Sequence, residues 1–353
     1  MDTADNRSIT LLRLSRQCLS RPADAAEYDE LFRAMSPVPC VYWSEPGSPP
    51  SLPLHTDFDD GAYNALRRSQ REILKGRFGG GNIGYVDARD LELFACLYRK
   101  IPRPAWPQEE LMELIRQEGP LNIGLMKELT GLLVKQITPA LHKLQAAFLL
   151  FEDQADAEGD RAWYLFDEEF SDVDLQRYTP QEALCRVLPH FARLCVWFDT
   201  AMASAYYRLP QKLIASAAAQ LEEEGTLVRA QTGEGQAGYV LSDDLAAIKS
   251  GVQSCPPAPQ LLMLQQNDFL ARSLSPSLAV RFASDWKLLY YLLLDGEIAG
   301  AVTGRFTFGP PELEDVVIEL PERAQEAWRE PILAAVAQKF PKAALRRYCG
   351  EIL

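Results

Sequence analysis

The stretch LPQKLIASAAAQLEEEGTLVRA (209–230) predicts a helix that ends at a glycine and is followed by a strand. Gly225 is the residue type that most often follows a helix, because it tolerates a left-handed backbone. TLVRAQ and AGYVLS, which are separated by the turn TGEGQ, then predict a β-hairpin. Upstream, PQEALCRVLPHFARLC and FDTAMASAYY predict two further helices.

The same order of elements occurs 77 positions earlier. QEELMELIRQEG, LNIGLMKELTG and LLVKQITPALHKLQAAF predict three helices, and LLFED and RAWYLF predict a hairpin. Lys135 and Leu144 lie 77 positions before Lys212 and Leu221. A helix–helix–helix–strand–turn–strand unit that occurs twice indicates tandem winged helices. The alternative is two unrelated helical hairpins, each followed by a β-hairpin.

The N-terminal part predicts mostly helix, interrupted by the proline-rich segment 36–54, and we interpret it as a divergent winged helix. A helix is expected from Tyr63 to Lys75, followed by a glycine-rich turn and a short strand at Ile83–Val86. Asp87 is then expected to cap another helix.

The C-terminal part follows the linker 250–260 and predicts antiparallel strands, with a hairpin at Asp295-Gly296 and a final amphipathic helix. The predicted fold class is therefore α+β, with tandem winged-helix (helix-turn-helix) units and a small C-terminal antiparallel β domain. The predicted boundaries are 1–104, 105–178, 179–250 and 258–353.

The chain of 353 residues is acidic, with a formal net charge of −13 and a pI near 4.9. The segment from Glu152 to Asp174 has ten acidic residues and one basic residue, and so contributes −9. The net negative charge argues against general coating of nucleic acid. Because much of that charge is concentrated in one segment, a local basic face is still possible elsewhere.

The sequence does not indicate a metal-binding, disulfide-stabilised, secreted or membrane protein. The seven cysteines form no C-x-x-C pair and the three histidines lie far apart, so we expect reduced thiols and no metal site. No membrane span or signal peptide is evident, and a cytoplasmic location is expected.

Two basic regions are candidates for contact with a nucleic-acid backbone. The segment 65–78 has five basic residues against one acidic residue, and the predicted recognition helix of the first repeat carries lysines without acids. The candidate nucleic-acid-binding residues are Arg67, Arg68, Arg71, Lys75, Arg77, Lys127, Lys135 and Lys143. A solvated helix face is the simpler explanation for the first region.

The candidate catalytic residues lie in and just after the proline-rich segment. Trp43, Glu45, His55 and Asp57 cluster there in sequence, and an aromatic ring beside a carboxylate would suit a base-binding pocket. Glu45 or Asp57 would activate water and Trp43 would stack on the base. The alternative is that Trp43 belongs to the core and that Glu45 is solvated.

Four segments, in this order, resemble the winged-helix DNA glycosylases of the AlkZ/YcaQ type, which remove alkylated bases and unhook crosslinks. GRFGGGNIGYVDARDL (76–91) is similar to the family's Arg-Gly-Thr-x-His-Leu segment ending in Asp-Leu, and 209–245 resembles its later winged helix. NDFLARS (267–273) is similar to Asp-Pro-Leu…Arg, and DGEIAGAVTGRF (295–306) to the Gly-x-x-x-Gly-Arg hairpin. The resemblance implies three winged-helix units and a C-terminal β domain.

Two of the family's motifs are missing. The family positions its catalytic water with a Gln-x-Gln or Gln-x-Asp pair, whereas residues 35–57 contain no glutamine. Its Thr-x-His is replaced by Asn82-Ile83-Gly84. The resemblance therefore implies a related branch that binds duplex DNA, needs no cofactor and has altered or lost base excision. A non-enzymatic module, which binds a protein partner through the acidic wing, is the alternative, and a transcription factor is a third.

Overall fold

The computed structural model describes residues 2–3, 5–39, 50–101, 103, 105–154, 161–251, 255–307 and 310–353. The first unit comprises β1 (Asp2–Thr3), α1 (Asn6–Arg16), α2 (Ala25–Ala34), β2 (Val38–Pro39), α3 (Asp60–Ser69), β3 (Ile73–Phe78), β4 (Asn82–Asp87) and α4 (Leu91–Tyr98). Its helices α1, α2 and α3 begin where the aspartates Asp5, Asp24 and Asp59 accept hydrogen bonds from the first free backbone N–H groups. Trp43 and Glu45 lie outside the described residues.

The prediction of a helix from Tyr63 to Lys75 is wrong in its second half. The helix ends at Ser69, Arg71 takes a left-handed backbone with φ of 61°, and Ile73–Phe78 continues as a strand. This strand pairs with Asn82–Asp87 across three glycines of positive φ, which gives the hairpin its tight turn. Asp87, which was expected to cap a helix, caps the 3₁₀ turn Ala88–Asp90 that leads into α4, and it accepts from the backbone N–H of Arg89 at 3.0 Å.

Two units of the predicted repeat follow. The second unit contains α5 (Gln108–Glu118), α6 (Ile123–Thr130), α7 (Val134–Ala146), β5 (Leu150–Gln154), β6 (Arg161–Leu165) and α8 (Phe166–Glu169). The third contains α9 (Pro180–Cys195), β7 (Trp197–Phe198), α10 (Thr200–Tyr207), α11 (Gln211–Glu223), β8 (Leu227–Gln231), β9 (Ala237–Leu241) and α12 (Leu245–Ser250). The bounds of α6, α7 and β5 lie 77 positions before those of α10, α11 and β8, which is the offset expected from the sequence.

The three units share one strand pairing. In the third unit β7 pairs with β9, the second strand of the hairpin, and in the first unit β2 pairs with β4. In the second unit a single bridge, Leu121 to Trp163, occupies the equivalent place. Each unit therefore adds a short strand segment to its hairpin.

The C-terminal unit is a six-stranded sheet in the order β10 to β15, covered by helices. Its elements are β10 (Leu261–Gln265), α13 (Phe269–Ser273), α14 (Ser275–Arg281), β11 (Lys287–Leu294), β12 (Glu297–Arg305), β13 (Glu312–Ile318), α15 (Glu322–Lys339), β14 (Leu345–Tyr348) and β15 (Glu351–Ile352). The hairpin at Asp295-Gly296 is confirmed.

Two expectations for this unit are wrong. The sheet is not purely antiparallel, because the crossover through α15 makes β14 parallel to β13. The long helix α15 does not end the fold, since two short strands follow it.

The apolar core shows how the units are joined. Buried side chains of the first and third units form one continuous cluster, which also includes Phe148, Phe151 and Phe166 of the second unit. The rest of the second unit's core is a separate cluster around Leu111, Leu141 and Trp163. Leu14 and Leu19 of the first unit are buried among residues of the C-terminal unit. The first, third and C-terminal units are thus packed together, and the space between them is fixed by apolar burial. Within the described residues, no helix is long and apolar enough to cross a membrane.

Candidate functional site at the junction of three units

Two neighbouring cavities lie where the first, third and C-terminal units meet. Their volumes are about 110 Å³ and about 170 Å³, and both are lined by Pro39, Tyr206, Asn267 and Arg272. We refer to the two cavities together as the central cleft. Its further polar lining residues include His55, Gln265, Asp268 and Lys339 in the smaller cavity, and Asn82 and Arg208 in the larger. A concave site with a few convergent polar groups is the expected form of a ligand site.

A buried histidine–aspartate pair forms one wall of the smaller cavity. Nε2 of His55 lies 2.9 Å from Oδ2 of Asp268, and the two side chains are only 2% and 7% exposed. Nδ1 of His55 donates to the carbonyl of Gln17, and Oδ1 of Asp268 accepts from the backbone N–H of Leu270 at 2.9 Å. Both ring nitrogens are therefore engaged, so His55 ties the first unit to the C-terminal unit and leaves no free nitrogen for a substrate.

The charge of this pair can be inferred from its surroundings. Burial lowers the pKa of His55, but the carboxylate of Asp268 and the two hydrogen bonds outweigh burial, and the net pKa is raised. The raised pKa favours the imidazolium, which donates from both nitrogens. The pair is then a buried ion pair between two units.

This raised pKa predicts a pH dependence of stability. A histidine whose pKa is raised in the folded state stabilises the fold fully at pH values below its unfolded pKa of about 6.5. This stabilisation is lost as the pH rises through the folded-state pKa. The unfolding free energy of the wild-type protein should therefore decrease as the pH rises above about 6.5, and we expect this decrease to be absent in His55→Gln. The comparison with wild type is needed because burial lowers the pKa of His142 and His190, which destabilise the fold in acid instead. Identical slopes above pH 6.5 for both proteins would contradict the assignment.

Arg272 joins the two cavities and is held by the first and third units. Its guanidinium donates to the carbonyls of Pro37 and Tyr206, both at 3.1 Å, and lies 4.2 Å from the centroid of the Tyr206 ring. Burial raises the pKa of Tyr206 to about 12, so its hydroxyl stays protonated and donates to the carbonyl of Met35. The position of Arg272 is therefore fixed by neutral acceptors and an aromatic face.

Arg208 covers the turn of the first hairpin. It follows α10 with a left-handed backbone (φ 52°, ψ 40°), and Nη1 lies 3.4 Å from the carbonyl of Gly79. A Cβ atom at Gly79 or Gly80 would come within 3.7 Å of Cδ of Arg208. This is an ordinary van der Waals distance, so the positive φ values of the two residues, rather than the nearby arginine, favour glycine in this turn.

The predicted catalytic residues contribute little to this cleft. Asp57 is exposed and does not line either cavity, although its neighbour His55 does. The residues found at the cleft instead come from distant parts of the chain. Asp268 and Arg272 lie in the segment whose likeness to Asp-Pro-Leu…Arg was noted from the sequence, whereas no sequence signal pointed to Tyr206 or Arg208.

Three members of the predicted basic region form internal ion pairs. Arg67 is buried and lies 3.1 Å from Asp87. Arg71 pairs with Asp153 and, at 3.0 Å, with Glu169. Lys75 lies 3.0 Å from Glu152, which is itself 2% exposed. Glu152, Asp153 and Glu169 of the acidic stretch thus form ion pairs with the basic region, between the second and first units.

The other predicted basic residues differ in their surroundings. Arg68 lies 4.0 Å from Asp153, and Arg77 donates to Gln145 and to the carbonyl of Gly81. Lys127, Lys135 and Lys143 on α6 and α7 are exposed, and none has a carboxylate partner within the described parts of the chain. These three lysines are available to an external anion. No group of three metal-ligating side chains occurs among the residues that the structure describes.

The fold is similar to that of a solved DNA glycosylase. The structure titled "Streptomyces sahachiroi DNA glycosylase AlkZ" superposes with a TM-score of 0.64 over 98% of this chain and 100% of that chain, at 15% sequence identity. At this identity the likeness establishes an AlkZ-like fold and no more. No family model and no curated protein matches the sequence.

Proposed function

We propose that this protein binds duplex DNA through an AlkZ-like arrangement of three winged-helix units and one β unit, with altered or lost base excision. The observation that carries the proposal is the likeness to a DNA glycosylase over nearly the whole chain, with a polar cleft where three units meet. The repeated order of helices and hairpins, with a short strand paired to each hairpin, supports the winged-helix interpretation.

The second unit supplies the best-supported contacts with phosphates. Lys127, Lys135 and Lys143 lie on the two helices that a winged helix presents to DNA, and their charges are not neutralised by the described carboxylates. Arg71 and Lys75 would have to break internal ion pairs to do the same. The proposal therefore rests on the lysines of α6 and α7 rather than on the basic region 65–78.

Replacement of the three lysines by alanine is expected to weaken duplex binding equally for unrelated sequences. Each lost phosphate contact reduces the slope of log K against log salt concentration by about 1, so the triple variant should lose about 3. The measurement is fluorescence anisotropy with two duplexes over a range of salt concentrations. Lys212→Ala on the equivalent helix α11 is the matched control, since that helix ends in three glutamates. An unchanged slope in the triple variant would refute these contacts.

The change in excision chemistry is supported by the composition of the cleft. The carboxylate and amide side chains that line the smaller cavity and could orient a water molecule are Gln265, Asn267 and Asp268, and all three belong to the C-terminal unit. Asp268 is already engaged by His55 and by a backbone N–H group. We expect little or no release of an alkylated base from a duplex under conditions in which the duplex is bound. Rapid release of the base by the wild-type protein would contradict this part of the proposal.

A protein-binding role is the second candidate, because the same unit exposes apolar side chains. Leu125, Leu129, Leu133 and Val134 are 44–55% exposed on α6 and at the start of α7. Glu152 and Asp153 of the acidic wing are committed to internal ion pairs, and the exposed leucines are the contact that this candidate function uses. Binding of this kind should persist at high salt, whereas DNA binding should not.

A further inference from the structure

The larger cavity of the central cleft concentrates positive charge in an acidic protein. The chain carries a net charge of −13, yet this cavity is lined by Arg208 and Arg272, and none of its described lining residues is an aspartate or a glutamate. Two like charges that face a shared cavity without a counterion repel each other, and the field of the cavity favours an anion.

The two guanidinium groups are held by neutral groups only. Arg272 donates to two backbone carbonyls and lies on the Tyr206 ring, so its orientation is fixed while its charge is not neutralised. Arg208 donates to the carbonyl of Gly79, and no described carboxylate lies within ion-pair distance of it. Such placement preorganises both arginines for an external acceptor.

The backbone at Arg208 gives an independent indication. The residue ends α10 in the left-handed region, where glycine or asparagine is the usual choice because a Cβ atom is strained there. Strain of this kind clusters at ligand sites, and Arg208 is one of seven described non-glycine residues that carry it. Here the strained residue carries its guanidinium to the edge of the cavity. The amides of Asn82 and Asn267 line the same cavity and add hydrogen-bonding groups.

We propose that Arg208 and Arg272 form a phosphate-binding site in the larger cavity. Phosphate oxygens match the planar, multiply donating guanidinium, and two arginines can bind different oxygens of one phosphate group. If the protein binds DNA as proposed above, the phosphate belongs to a nucleotide drawn into the central cleft, and for this source the inference rests on the proposed function. A free phosphate compound would use the same chemistry.

The test compares phosphate binding by the wild-type protein and by Arg208→Gly, with titration of inorganic phosphate followed by calorimetry and by ³¹P line width. Glycine relieves the left-handed strain, so we expect the melting temperature of the variant to be unchanged or higher. We expect its phosphate affinity to fall at least about tenfold, because a charge-assisted hydrogen-bonding group is lost. Arg323→Gln, an exposed charge change on α15 away from the cavity, should alter the affinity less than about twofold.

The same variants are then tested on a duplex that carries an abasic-site analogue. Parallel losses of phosphate and duplex affinity in Arg208→Gly would support the site with DNA as the source. Loss of phosphate affinity alone would support the site with a free phosphate compound as its ligand. Wild-type protein that binds the duplex but not phosphate, or a variant that binds phosphate as wild type does, would overturn the site. Phosphate binding without any duplex binding would overturn the proposed function instead.

Discussion

Replacement of Glu152 by alanine is expected to lower the free energy of unfolding by about 3–5 kcal/mol, the typical effect of removing one partner of a buried ion pair. Glu152 is 2% exposed, pairs with Lys75 at 3.0 Å and Arg161 at 3.2 Å, and lies 3.4 Å from the amide of Gln145. Burial raises the pKa of Glu152, but its cationic neighbours outweigh burial and lower the net pKa. The carboxylate is therefore charged at neutral pH, and its loss leaves the ammonium group of Lys75 buried without a partner.

Chemical denaturation of wild type and variant measures this effect. Glu222→Ala is the matched control, since Glu222 pairs with Arg229 at an exposed site and should contribute no more than about 1 kcal/mol. The double variant Glu152→Leu with Lys75→Met should recover most of the loss, because both charges are removed together. A single variant within about 1 kcal/mol of wild type would show that the second unit is not held to the first by this pair.

Asp268→Ala is expected to be destabilising to a similar extent, by about 3–5 kcal/mol. The substitution removes the counterion and hydrogen-bond acceptor of the buried His55, and it also removes the cap of α13, where Oδ1 of Asp268 accepts from Leu270. Because the pair connects the first and C-terminal units, we also expect faster hydrogen exchange at the backbone N–H of His55.

Asp268→Asn separates the two contributions of this residue. Asparagine can still cap α13 and can still accept from His55, so it keeps the geometry while removing the negative charge. We expect an intermediate loss of stability, and we expect the raised pKa of His55, followed by NMR, to fall. An unchanged pKa of His55 in Asp268→Asn would show that the carboxylate is not the cause of the shift.

The order of elements in the second and third units could be predicted because it depends on local signals. Helical periodicity, glycine stops and hairpin turns are each contained within a few residues, and the 77-residue offset repeats them. The strand Ile73–Phe78 could not be predicted in this way. Its basic residues favour an exposed helix locally, but its pairing with Asn82–Asp87 and the burial of Ile73, Leu74 and Phe78 decide the outcome.

The central cleft depends on contacts that are remote in sequence. His55 and Asp268 are separated by 213 positions, and Arg272 reaches a carbonyl 235 positions away. Arg71 and Asp153 are 82 positions apart, so neither the basic region nor the acidic stretch reveals that the other neutralises it. The sequence shows how many charged residues a segment contains, whereas the fold determines which of them remain unpaired and can bind a ligand.

Equilibrium binding of the wild-type protein to a duplex with an abasic-site analogue, and to the same duplex without it, tests the central claim most directly. Measured at about 50 and 200 mM salt, binding should weaken steeply as the salt concentration rises, and it should favour the abasic duplex because that nucleotide enters the cleft without unstacking a base. Absence of binding to either duplex at the lower salt concentration would contradict the account and leave an AlkZ-like scaffold with a different partner.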